Sequence, residues 1–136
     1  MTGKAVLAGA ALLAAACSAQ AEAPPAITSA MSYQAEIVPL LESNCATCHL
    51  TGEEAGGMSL VGDAAIGFLV GQPSQEAPAL IRVVPGNPDK SYLVMKLEGT
   101  HINHGGSGAQ MPFGAPPLAP EQIAKVRQWI AQGAKP

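Results

Sequence analysis

The sequence predicts a small helical domain in which short helices are strung on long loops. Three observations carry this reading. Apolar residues recur at helical spacing over residues 33–41, 92–97 and 123–130. Between them the chain is crowded with glycine and proline, 15 and 12 residues in a chain of 136, which punctuate regular structure. Large side chains are scarce, with one Trp, two Tyr and two Phe. The interior is therefore thin for a globule of this length, and it leaves room for something other than side chains.

Residues 1–21 read as a secretory signal. Lys4 supplies the charged start, Val6, Leu7, Leu12 and Leu13 the short apolar core, and Ala19-Gln20-Ala21 a small-x-small cleavage site. The apolar run is too short for a comfortable membrane span. A second processing route is also written here, because Leu13-Ala14-Ala15-Ala16-Cys17 resembles a lipobox, with Ala14 where a larger aliphatic is usual. In that route Cys17 becomes a lipidated first residue and tethers the domain to a membrane. In the other, cleavage after Ala21 discards it. Both lead out of the cytoplasm, and the expected location is the bacterial periplasm. Removal of residues 1–21 leaves six Lys and Arg against ten Asp and Glu. That acidic balance, with no basic cluster, argues against a nucleic-acid partner.

Residues 22–32 are rich in Ala and Pro without periodicity and read as a flexible leader, so the folded domain is expected over 33–136. Tyr33, Ile37, Leu40 and Leu41 share one helical face. Pro39 is tolerated only in a first turn, so a helix is predicted over about 36–44. Residues 50–88 form a long Gly- and Pro-rich loop, with a short helix over 64–70 and a brief strand over 80–84. Tyr92, Leu93, Met95, Lys96 and Leu97 make the next helix, with Asp89 or Ser91 as its cap and Gly99 as its stop. The last helix is the clearest. Pro120 suits its first position, Ile123, Val126, Trp129 and Ile130 face inward, Lys125 and Arg127 face solvent, and Gly133 ends it. Ala119 is a poor cap.

Cys45-Ala46-Thr47-Cys48-His49 follows the first helix and spells C-x-x-C-H, the attachment signature of a c-type haem. Two thiols one turn apart can each add across a porphyrin vinyl group, and the imidazole beside them can ligate the iron. Two other chemistries use the same residues. One is a redox dithiol, although no strand–helix–strand pattern surrounds it. The other is a zinc site completed by His101 and His104. Export favours haem, because free thiols in an oxidising compartment tend to oxidise unless something occupies them.

An iron held by His49 has one more axial position, for which Met111, Met58, Met95, His101 and His104 are candidates. Met95 lies mid-helix and Met58 beside Leu60, both positions of core fillers. Met111 stands apart, in a loop before Pro112 and ahead of the last helix. His101 and His104 read first as exposed loop histidines.

The order of a helix, Cys45-Ala46-Thr47-Cys48-His49, a loop with Met111-Pro112, and a final helix with Trp129-Ile130 resembles the monohaem class I cytochromes c. The stretch from Pro85 to Leu93 is similar to the bacterial subgroup with an enlarged loop after the haem motif. The resemblance covers roughly residues 33–135. It implies an all-α fold of three to five short helices whose long loops wrap one covalent haem c. It also implies thioethers at Cys45 and Cys48, axial ligation by His49 and Met111, and a backbone carbonyl, with Pro85 as the candidate, orienting the His49 ring.

The expected function is that of an exported one-electron carrier exchanging electrons with protein redox partners, and not of an enzyme. Elsewhere there is no serine–base pairing, phosphate-binding loop or dinucleotide motif. Three alternatives use the same chain: a five-coordinate haem enzyme, a haem subunit docked in a larger periplasmic oxidoreductase, and a zinc-binding module.

Overall fold

Pro39 decides how the first helix begins. It has no N–H to give to a helical ladder. In the computed structural model, which describes residues 30–136 together with Met1 and Gly3, the chain enters through a π turn over Tyr33–Ile37. There the Val38 N–H reaches back to the Tyr33 carbonyl. Helix α1, Val38–Asn44, follows with Pro39 in its first turn. The helical segment thus starts earlier than the predicted residue 36. Ser32 caps it, its hydroxyl accepting the Ala35 N–H at 3.1 Å. The expected signal, the Cys17 lipidation site and most of the leader lie outside the described residues.

Helix α2 spans Ala64–Leu69, α3 spans Tyr92–Glu98 and α4 spans Pro120–Ala131. Short 3-10 turns occupy Pro88–Lys90 and His101–His104. The predicted strand over 80–84 does not form. Only two isolated bridges occur there, Val70 with Val83 and Pro73 with Ile81, because no neighbouring segment runs long enough to pair. The described residues are therefore all-α, with short helices and long loops.

Caps differ in detail from the expectation. Ser91 is the N-cap of α3, but its side chain does not cap the helix. Its hydroxyl instead accepts the Val84 N–H at 2.9 Å and donates to the Asn87 carbonyl at 2.9 Å. Asp89 pairs with Arg127, which also meets Glu98 at 2.9 Å. Arg127 is thus half-buried between two carboxylates, while Lys125 stays exposed. At α4 the Gln122 side chain accepts the Ala119 N–H at 3.0 Å, which offsets the poor cap. Gly99 ends α3 in the left-handed region, φ 74°, where a side chain is disfavoured.

Helix α4 packs on α3 and on the π turn. Tyr33, Ile37, Leu40 and Leu41 join Leu97, Val126, Trp129 and Ile130 in the main core. A smaller cluster of Ala77, Tyr92 and Met95 lies apart from it. Tyr92 through Leu97 are all buried, so α3 is covered up to its last residue, the exposed Glu98. The two ends of the fold meet, the Met31 N–H donating to the Gln132 side chain at 2.6 Å.

Candidate functional site

The C-terminal end of α1 places the two cysteines. The Cys45 N–H closes the helix on the Leu41 carbonyl at 2.8 Å, and the N–H groups of Cys48 and His49 both return to the Cys45 carbonyl at 3.1 Å. This tight turn sets Cys45 half inward against the main core and Cys48 outward. Both thiols are free. Burial, and then the neighbouring Cys48, push the Cys45 thiol up to about 11.

His49 turns in, 7% exposed. Burial holds its imidazole below the ordinary value, against the opposite pull of the Ala55 carbonyl and the Glu54 carboxylate. At neutral pH the ring is therefore uncharged and keeps a nitrogen lone pair. Its Nδ1 is buried with no hydrogen-bond partner. The Ala55 backbone lies close enough to favour the protonated ring, and Pro85 lies exposed in a surface turn.

Residues 50–59 fold over His49 as a closed loop. The Leu60 N–H donates to the His49 carbonyl at 2.8 Å, and the Ser59 hydroxyl donates to the Leu50 carbonyl at 2.8 Å. Inside the loop Glu54 accepts the N–H groups of Thr51 and Gly52 at 3.0 Å. Those backbone donors, Thr51 first, hold its carboxyl down to about 2. Arg82 clamps the loop from outside. Its buried guanidinium donates to the Gly56 carbonyl at 2.6 Å and to the Phe68 carbonyl at 2.8 Å. A methyl placed on Gly56 would meet Met58 Cε at 3.3 Å and His49 Cε1 at 3.8 Å, so Met58 and the imidazole lie on one side of the loop.

The other candidates separate cleanly. Met111 is half-buried against the main core, as are Cys45 and Met58, while Met95 belongs to the smaller cluster. His101 is not an exposed loop residue. It is 2% exposed, with Nε2 3.1 Å from the Gly108 carbonyl and its ring edge-on to Tyr92. His104, at the other end of the same 3-10 turn, is exposed. Among the described residues, no three His, Cys, Asp or Glu side chains converge on a point that would hold a metal ion, so Cys45, Cys48, His101 and His104 do not assemble the zinc set. A shallow cleft between α3 and α4, lined by Leu97, Gln110, Pro120 and Ile123, includes none of Cys45, Cys48, His49 and Met111. No described helix is long and apolar enough to cross a membrane.

Arg82, Glu54 and Lys96 are organising residues that motif reading missed. Arg82 had one local signal, a single charge inside the apolar run Leu80-Ile81-Arg82-Val83-Val84. Comparison with protein-family models, curated proteins and solved structures finds no match, and the residues themselves carry the functional reading.

Proposed function

We propose that this protein is an exported one-electron carrier that holds a single haem covalently and is similar to the monohaem class I cytochromes c. One observation carries the reading. Two free thiols and a buried, neutral imidazole stand within five residues on the turn that ends α1. In this reading Cys45 and Cys48 form the thioethers, and His49 and Met111 hold the iron. When bound, the haem supplies reversible one-electron redox chemistry.

The residues suit that group chemically. A neutral imidazole is the protonation state an iron ligand needs, and the buried Nδ1 has a hydrogen-bonding capacity that no described residue uses. Cys48, being exposed, keeps the attachment edge at the surface, where a partner protein can exchange electrons. A second side chain to hold the iron would come from another part of the chain. Met58 shares the histidine's side of the 50–59 loop and Met95 sits in the separate cluster, which favours Met111. Held by His49 and the Met111 thioether, the iron would be stabilised in its reduced form and would have no place left for substrate. Those two features favour carriage of electrons over catalysis.

Optical and mass analysis of the exported protein tests the reading. The expected result is one covalent haem, no free thiol at Cys45 or Cys48, and a weak far-red band from sulfur–iron ligation that Met111→Ala removes. A colourless protein with both thiols free would overturn it. Persistence of the band in Met111→Ala would move the sixth ligand to Met58 or Met95.

A further inference from the structure

Lys96 lies in α3 with 6% of its surface exposed. An ammonium taken out of water costs several kcal/mol unless it is paired and hydrogen-bonded. Lys96 has both forms of compensation. Its Nζ lies 2.8 Å from Glu76 Oε2 and donates to the Ser107 carbonyl at 3.0 Å. The same carboxylate oxygen accepts the Tyr92 hydroxyl at 2.9 Å. Burial alone would raise the Glu76 carboxyl, but the bonds from Lys96 and Tyr92 bring it below its ordinary value. Burial and that carboxylate push the Tyr92 phenol up to about 12, so it remains a donor.

The network faces residues 106–111, the strap that ends at Met111. Five ties seat the strap on α3 and the turn after it. The Gly106 N–H donates to the His101 carbonyl at 2.9 Å, and the Met111 N–H donates to the Lys96 carbonyl at 3.0 Å. Between them, Lys96 Nζ takes the Ser107 carbonyl, His101 Nε2 faces the Gly108 carbonyl at 3.1 Å, and Gln110 donates to the Leu97 carbonyl at 2.7 Å. The approach is as close as backbone allows. A side chain on Gly106 would collide with the Tyr92 hydroxyl and, at 2.8 Å, with the His101 carbonyl. Lys96 touches the strap near both ends, through its ammonium at Ser107 and its carbonyl at Met111.

We propose that Lys96, held by Glu76 and Tyr92, is a positioning residue that seats the strap 106–111 on α3 and so fixes where Met111 is presented. The consequence for iron ligation rests on the reading of Met111 given above. The seating of the strap is a property of the polypeptide and is measured separately.

Amide hydrogen exchange on the exported, haem-loaded protein provides that measurement, with Lys96→Met and Tyr92→Phe as variants. In Lys96→Met the Met111 and Gly106 amides are expected to exchange at least about tenfold faster, with α1 and α4 amides unchanged. Tyr92→Phe, which removes one hydroxyl and leaves the ion pair, should move the same amides by a smaller factor. In Lys96→Met the far-red band should also vanish on heating at a lower temperature than the far-ultraviolet helix signal. Unchanged exchange at Met111, or acceleration spread evenly over all helices, overturns the proposal. Should Lys96→Met fail to fold, the Tyr92→Phe exchange at Met111 decides it. If Met111→Ala keeps the far-red band, the ligand assignment falls, while the Met111 amide still reports whether Lys96 seats the strap.

Discussion

The rings of Tyr33 and Trp129 meet with their centroids 5.4 Å apart and their planes inclined at 30°. Tyr33 opens the π turn and Trp129 lies near the end of α4, so the pair joins the first and last helical segments among the described residues. Each ring also makes a polar tie. The Tyr33 hydroxyl donates to the Gly62 carbonyl at 3.0 Å, and the Trp129 indole N–H donates to the Lys135 carbonyl at 2.8 Å. Trp129→Ala should cost about 3–5 kcal/mol, a large share of the roughly 5–15 kcal/mol that holds a domain folded. Trp129→Phe keeps an aromatic ring in place and should cost less than half as much. Urea unfolding of the two variants compares them, and equal midpoints would mean the ring contact contributes nothing.

Arg82 is the second test. Its fork spans the Gly56 and Phe68 carbonyls, which belong to the loop over His49 and to α2. A lysine ammonium carries its donors on one nitrogen and lacks the planar fork whose two nitrogens reach the two carbonyls here. Arg82→Lys should therefore lose about 1–3 kcal/mol and expose residues 50–59 to faster limited proteolysis. Wild-type cleavage rates in Arg82→Lys would show that charge alone suffices.

The acid side of the stability profile follows from two carboxylates. Glu76 titrates below its ordinary value in the folded chain, since Lys96 and Tyr92 outweigh the effect of burial. A depressed carboxyl stabilises the fold above its unfolded value, about 4.3, and that contribution is lost as pH falls through the folded value. Glu54, held down to about 2 by the Thr51 and Gly52 donors, keeps its contribution further into acid. Thermal midpoints should fall as pH drops below about 4, and Glu76→Gln should lower the neutral midpoint and flatten that part of the profile. A variant profile parallel to the wild type would remove Glu76 from the account.

The cysteines should differ in reactivity in protein whose two thiols are free. Cys45 is half-buried with its thiol pushed up to about 11, while Cys48 is exposed. Alkylation proceeds through the thiolate and needs access, so iodoacetamide should label Cys48 first. Peptide masses at early times give the order, and equal labelling would contradict the orientation of the turn.

The helices were legible because they rest on local spacing. Tyr33, Ile37, Leu40 and Leu41 announce one buried face, and Val126, Trp129 and Ile130 another. Arg82, Lys96 and His101 were not legible, because a charged or titratable side chain is read as surface unless its partners are known. Those partners lie far along the chain. Arg82 meets Gly56 across 26 residues and Lys96 meets Ser107 across 11. The residue types of the Cys45–His49 turn were likewise visible, but the turning of Cys48 outward and His49 inward depends on how residues 50–59 fold back. The missing strand is the converse case. Val83 and Val84 have the residue types of a strand, but a strand needs a partner that the neighbouring glycines and prolines do not supply.

The bond from the Met31 N–H to Gln132 makes the ends of the fold neighbours. A short bridge from beyond Gln132 to Ala30, with the chain opened at the exposed Gly114, gives a circular permutant that cuts no helix and leaves the Cys45–His49 turn whole. In that molecule α4 would be synthesised before α1, yet the same ring of Trp129 would await the same ring of Tyr33.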